Sequence, residues 1–167
     1  ISITHDTSIL YEKIAGMPVL EHLGRSINYL LKNRYSEKYK LLTGATTQDW
    51  GDVQIEGGAV VDVDGKTHWA IDIYDNAMFV IALKDMIQFT KNPAEKKKWA
   101  NLNKLTEQNI RKYLWDSARH KFIPHIYIDG SPFPKNFDEN KIYFHGGTAV
   151  AIEAGLLSKK EIELVNN

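Results

Sequence analysis

The chain has 167 residues, enough for about one domain with a real hydrophobic core, and its 43% hydrophobic and 25% charged content is that of an ordinary globular protein. Twenty-one basic residues balance 21 acidic ones, so no general electrostatic pull toward nucleic acid or anionic lipid exists, and neither is expected as a partner. The absence of cysteine excludes disulfides, thiolate nucleophiles and Cys-type zinc sites.

The first residues, "ISITHDTSIL", carry no initiator Met, basic region or apolar stretch of a signal peptide, which suggests a processed or truncated start. Val19 to Asn33 has a helical pattern: Val19, Leu20, Leu23, Ile27, Leu30 and Leu31 recur at helical spacing, with Pro18 suited to its start. A second helix is expected from about Ala70, with Ile71, Tyr74, Met78, Ile81, Ala82 and Met86 as its main stripe. Phe79 and Val80 widen that stripe, as in a helix buried on several sides. "KNPAE" supplies a third start, with Asn92 as N-cap and Pro93 in the first turn, and the apolar period runs to about Trp115. The short connection predicts an antiparallel hairpin of the second and third helices.

From Asp116 the period changes, and "KFIPHIYIDGSPF" predicts a short β-hairpin or extended loop broken at Asp129-Gly130. A helix returns over Thr148 to Leu156 with Gly155 near its end, and Ser158 with Glu161 forms a capping-box signature for a last helix. No self-similarity of the 34-residue kind is evident. "EIELVNN" stops just after a helical pattern begins, so truncation is expected there too. The fold class is therefore mainly α: helical hairpins with a short β-hairpin and two long connections, Arg34 to Trp69 and Asp116 to Gly147. Loops of that length inside a compact domain point to function.

The first long loop carries Asp49, Trp50, Asp52, Glu56, Asp62, Asp64, His68 and Trp69, and the helix after it opens with Asp72, Tyr74, Asp75 and Asn76. Carboxylates beside aromatic rings suit carbohydrate, because rings stack on the apolar face of a sugar while carboxylates accept hydroxyl hydrogen bonds or transfer protons. "VVDVDGKTHW" also fits a surface hairpin turning at Asp64-Gly65. The acids lack EF-hand spacing and its terminal Glu, no H-x-x-x-H pair suggests zinc, and no metal is expected. Asp72 and Asp75 equally suit the N-terminal dipole of a helix, an explanation that does not reach Asp49 or Asp52. His145 precedes Gly146 and Gly147, which would either admit a ligand to backbone N–H groups or make a tight entry into the helix. No G-x-S-x-G elbow, Walker loop or G-x-G-x-x-G is present, so serine-hydrolase and nucleotide-binding readings fall away.

The order "GATTQDWGDVQ", "THWAIDIYDNAMFVIALKDM", "YLWDSARHKFIPHIYIDG" and "GGTAVAIEAGLLSKKE" resembles the middle of the six-hairpin glycosidases, which are built on an (α/α)6 toroid. The resemblance spans roughly Val19 to Glu161, and the order and spacing of the motifs carry it. It implies that residues 1–167 form a single domain that is a fragment of a larger (α/α)6 catalytic domain. It also implies hydrolysis of a glycosidic bond with inversion, an oligosaccharide or glycoside substrate, no cofactor, and the remainder of its own barrel as partner.

By that resemblance Asp52 and Asp49 are the catalytic candidates, and Trp50, Trp69, Asp72 and His145 line the substrate pocket. Trehalases and processing α-glucosidases place their general acid in a W-D-x-S-x-R pattern, and "WGDVQ" has no Ser or Arg after the acid. In the rhamnosidase-like branch the acid of a closer "GDW" element binds substrate, and glutamates elsewhere perform catalysis. The base is expected from a later segment than this chain contains. A bacterial periplasmic or extracellular setting follows from the resemblance. The rival expectations are a non-catalytic saccharide-binding helical module and an unsaturated-uronyl hydrolase.

Overall fold

The computed structural model describes residues 6–45 and 67–165. Asp49, Trp50, Asp52, Glu56, Asp62 and Asp64 lie outside the described residues. Within them the fold is mainly α, with five α-helices and strands of at most four residues.

A 3-10 turn at Ser8–Tyr11 leads to a two-residue hairpin, β1 (Lys13–Ile14) with β2 (Met17–Pro18), and then to α1 (Val19–Asn33). Strands β3 (Tyr35–Ser36) and β4 (Leu41–Leu42) pair as a hairpin, followed by β5 (Gly44–Ala45). The chain resumes in β6 (Trp69–Asp72), α2 (Ile73–Phe89) and α3 (Pro93–Tyr113). A third hairpin, β7 (Trp115–Asp116) with β8 (Lys121–Phe122), precedes β9 (His125–Tyr127), a 3-10 turn at Glu139–Lys141, α4 (His145–Glu153) and α5 (Lys159–Val165).

Two caps match their sequence signals. Asn92 accepts the N–H groups of Ala94 and Glu95 at the start of α3. Ser158 and Glu161 close a reciprocal box, the Ser158 N–H donating to Glu161 Oε2 at 2.8 Å and the Glu161 N–H to Ser158 Oγ at 3.3 Å. Gly155, at φ +70°, follows α4 in the left-handed region that an L side chain disfavours.

The expectation of a helix from Ala70 is corrected. Trp69–Asp72 is a central strand paired antiparallel with β5 on one edge and β9 on the other. Helix begins only at Ile73, where the Asp72 carboxylate accepts the Asp75 N–H at 2.8 Å. The "KFIPHIYIDGSPF" hairpin is corrected too, because β8 folds back on β7 while β9 joins β6. Asp129 stitches to the neighbouring strand instead of turning a hairpin, its Oδ1 accepting the Trp69 N–H at 3.1 Å.

α2 is the hub. Ile73, Ala77 and Val80 enter one core with Ile110, Leu114, Phe122 and Ala151, while Phe79, Leu83 and Met86 enter another with Ile27 and Trp99. The stripe foreseen for this helix is only partly buried: Met78 is 46% exposed, and the buried face is set by Ile73, Ala77, Phe79, Val80, Leu83 and Met86. α3 runs antiparallel to α2, since the end of α2 shares a core cluster with the start of α3, through Met86 and Trp99, and the start of α2 shares another with the end of α3, through Ile73 and Ile110. α4 runs parallel to α2. At one end a Cβ on Gly147 would stand 2.4 Å from Ile73 Cγ2, and at the other Lys84 Nζ donates to the Ala154 carbonyl at 2.6 Å.

The segment α1–β3–β4 and the segment α3–β7–β8 are two copies of one device at a constant offset. Arg34 and Leu114 cap their helices through the carbonyls of Leu30 and Ile110, and their own carbonyls accept the N–H groups of Thr43 and Ile123. Lys40 at φ +54° and His120 at φ +52° turn the two hairpins. The repeat leads each time into a helix, α2 or α4, whose N-terminus lies at the same end of the molecule. Side chains at Tyr35/Trp115 and Lys40/His120 differ, so the sequence masks the repeat.

Candidate functional site

Polar side chains concentrate where α2 and α4 begin and the three-stranded sheet β5–β6–β9 crosses their ends. Asp72, 2% exposed, ends β6 and caps α2. Asn76, fully buried one turn later, accepts the Leu42 N–H at 2.8 Å and donates to the Leu42 carbonyl at 3.1 Å and the Asp72 carbonyl at 2.8 Å. Its amide thus replaces a strand partner for β4 and holds the acidic turn in place.

Gly44 is what lets the two acids converge. A Cβ built there would lie 2.1 Å from Asp75 Oδ2 and 3.9 Å from Asp72 Oδ2, so both carboxylates face the bare edge of β5.

On the opposite edge β9 supplies the complementary chemistry. His125 stands directly across from Asp72 and Tyr127 across from Ala70, so strand alternation puts Asp72, His125 and Tyr127 on one face. Glu139 reaches back from its 3-10 turn. His125 Nδ1 donates to Glu139 Oε1 at 2.6 Å and the Tyr127 hydroxyl donates to the same oxygen at 2.8 Å. The His125 side chain is 3% exposed and that of Glu139 15%. The His125 ring also lies 5.9 Å from that of Phe144, at the entrance to α4. A carboxylate that fixes an imidazole beside a second carboxylate pair is equipped for proton transfer. Among the described residues no group of three or more His, Asp or Glu is arranged to hold a metal ion.

Of the residues singled out in the sequence, Asp72 is inside this cluster. Trp69 is on the same strand, but alternation sends its ring to the opposite face, where the Arg34 guanidinium stacks on it at 4.2 Å. His145 is exposed at the first position of α4, its ring 4.7 Å from that of Tyr143. Burial pushes the Tyr143 phenol up from its ordinary pKa, and its hydroxyl donates to the Val165 carbonyl. Gly147 packs closely on Ile73, as a tight helix entry requires.

Asp75 was marked in the sequence beside Asp72 as a helix-start carboxylate, whereas the joint role of His125, Tyr127 and Glu139 escaped sequence reasoning. The alternation of "HIYI" already put His125 and Tyr127 on one face, a signal that was available. Nothing local marked Glu139, whose role arises only when its loop folds back over the sheet.

A cleft of about 430 Å3 lies at the other end of the helices, bounded by Tyr11, Gly24, Arg25, Met86, Lys98 and Trp99. None of the clustered acids lines it. No protein-family model matches the chain, and no curated protein matches it either.

Proposed function

We propose that this chain contributes helical hairpins to an (α/α)6 glycoside hydrolase and that its sheet-bearing end binds the saccharide. The observation that carries the reading is the convergence of Asp72 and Asp75 over Gly44, with the Glu139–His125 pair on the adjoining strand. The alternation of α1 and α3 with the mutually parallel α2 and α4 supports it, because that is the arrangement an αα toroid repeats. The order of motifs from Val19 to Glu161, which resembles that family, supports the reading as well.

Glycoside hydrolysis with inversion needs one carboxylic acid to protonate the leaving oxygen and one carboxylate to activate water across the sugar, roughly 6.5–9.5 Å away. In this reading Asp52 is the proton donor, with Asp49 beside it. Asp72 and Asp75 accept hydrogen bonds from sugar hydroxyls. In this reading Trp50 and His145 border the pocket, while Trp69 contributes to the strand that carries Asp72.

The test is turnover of the full-length enzyme on a panel of aryl glycosides and oligosaccharides, with Asp52→Asn and Asp75→Asn alongside. Asp52→Asn is expected to reduce kcat by orders of magnitude with an unchanged helical spectrum; near-normal turnover rejects it as the acid. A second reading, saccharide binding without cleavage, is favoured by the structural employment of these carboxylates. Asp72 caps a helix, and Glu139 is held by two donors. It predicts that Asp75→Asn weakens sugar binding while no glycoside is cleaved at any pH.

A further inference from the structure

The loop from Ile128 to Phe144 carries an aromatic pair that no core absorbs. Phe133 and Phe137 stack with ring centroids 4.4 Å apart and planes inclined by 29°, yet Phe137 remains 44% exposed. The pair is built to be rigid. Pro132 and Pro134 fix φ on both sides of Phe133. Ser131 Oγ accepts the Phe133 N–H at 3.2 Å, and the Phe137 N–H donates to the Pro134 carbonyl at 2.9 Å, which folds one ring back onto the other.

The same loop is fastened to the candidate site. Two residues after Phe137, Glu139 takes its bonds from His125 and Tyr127, and the buried Lys121 ammonium donates to the carbonyls of Asn140 and Ile142. At its start Asp129 holds the Trp69 N–H. A loop so anchored would ordinarily turn its phenyl rings inward. Here they stand preordered in the loop that carries Glu139.

We propose that Phe133 and Phe137 form a stacking platform for a pyranose ring of the saccharide, displaced along the chain from the residue held at Asp72 and Asp75. The inference rests on the carbohydrate reading above and adds a second sugar subsite to it. A pyranose has one face of axial and ring C–H groups, which packs on a phenyl face without leaving a hydroxyl unsatisfied. Because the rings are already fixed, little conformational entropy is lost when the sugar lands. The platform therefore favours substrates longer than a monosaccharide.

Saturation-transfer NMR with maltotetraose, cellotetraose, xylotetraose and chitotetraose tests this on the purified protein. The wild type is expected to bind at least one of them. Phe137→Ala and Phe133→Ala should each weaken that tetrasaccharide about fivefold to tenfold, and Phe137→Trp should restore it. Binding of the matching monosaccharide should be unchanged. If a tetrasaccharide binds and Asp75→Asn weakens it while both alanine variants do not, the platform is refuted and the carbohydrate reading survives. If the wild type binds none of the four, both fall. If sedimentation shows a wild-type dimer that Phe137→Ala dissolves at unchanged sugar affinity, the rings join two copies of the chain and the platform is refuted. Binding that depends on Phe137 without any cleavage supports the platform and removes the hydrolase assignment.

Discussion

The segment α1–β3–β4–β5 with α2 and the segment α3–β7–β8–β9 with α4 share a backbone plan and almost nothing else. Ser36 and Asp116 occupy the same turn position, and each accepts an N–H three residues on, from Tyr39 and Arg119 respectively. The Arg119 guanidinium, with backbone N–H groups, holds the Asp116 carboxyl below the usual carboxylate range. Asn76 and Thr148 are both buried in the first turn and return a hydrogen bond to the carbonyl four residues earlier, at Asp72 and Phe144. The acids are not repeated. Where α2 has Asp72 and Asp75, α4 has Phe144 and Gly147. The strands differ in the complementary sense: β5 is bare at Gly44, and β9 carries His125 and Tyr127. The repeat thus supplies a frame twice, and the chemistry gathers around β6, which lies between strands from the two copies.

The largest expected effect separates Asn76 from Thr148. Asn76→Ala strands both polar groups of Leu42 in the core and should cost about 2–4 kcal/mol, measured by chemical denaturation. Thr148→Val removes a bond internal to one helix turn and should cost no more than about 1 kcal/mol. Equal losses would mean that Asn76 does not tie β4 to α2.

The glycines give the next contrast. Gly147→Ala drives a methyl into Ile73 and the Phe144 ring and should destabilise by about 1–3 kcal/mol. Gly44→Ala meets the tip of a flexible carboxylate, so the fold should lose less while Asp75 is displaced. A melting temperature lowered more by Gly44→Ala than by Gly147→Ala would reverse the assignment.

Glu139→Gln weakens the charged bonds to His125 and Tyr127, and a loss of about 1–2 kcal/mol is expected. The His125 ring resonances in an NMR titration should shift along with it. Unchanged resonances would place Glu139 away from the imidazole in solution.

The smallest effect is at the last helix, where Ser158→Ala should cost about 1 kcal/mol. The Ser158 N–H, with its hydroxyl and the Arg111 guanidinium, holds the Glu161 carboxyl below its ordinary pKa against the opposing push of burial. A depressed folded-state pKa stabilises the fold above the unfolded value, and that contribution disappears as pH falls through the folded one. Thermal melts should therefore show wild type and Glu161→Gln converging in acid and separating toward neutrality. A constant difference across pH would discard the linkage.

Helices were legible wherever an apolar period coincided with a chemical punctuation mark. Val19–Asn33 begins after Pro18, α3 begins at Asn92-Pro93, and α5 begins with its capping box. The second helix was misplaced at its start because Ala70 and Ile71 extend its apolar pattern, and only pairing with β5 and β9 converts them to strand. Asp72 was recognisable because a carboxylate at a helix start is a local event. Glu139 and His125 were not, since their partnership spans fourteen positions and a folded-back loop.

The sequence by itself determined the mainly helical class, three helix starts and the caps of two of them, and the exclusion of thiol chemistry, because these depend on neighbours within a turn or on composition. Tertiary structure alone decided that β6 lies between two strands from distant segments, that α4 runs parallel to α2, and that Asp75, His125, Tyr127 and Glu139 gather around Asp72. Those outcomes depend on which surfaces come within contact distance, and a linear pattern does not encode distance between segments that meet only when the core closes.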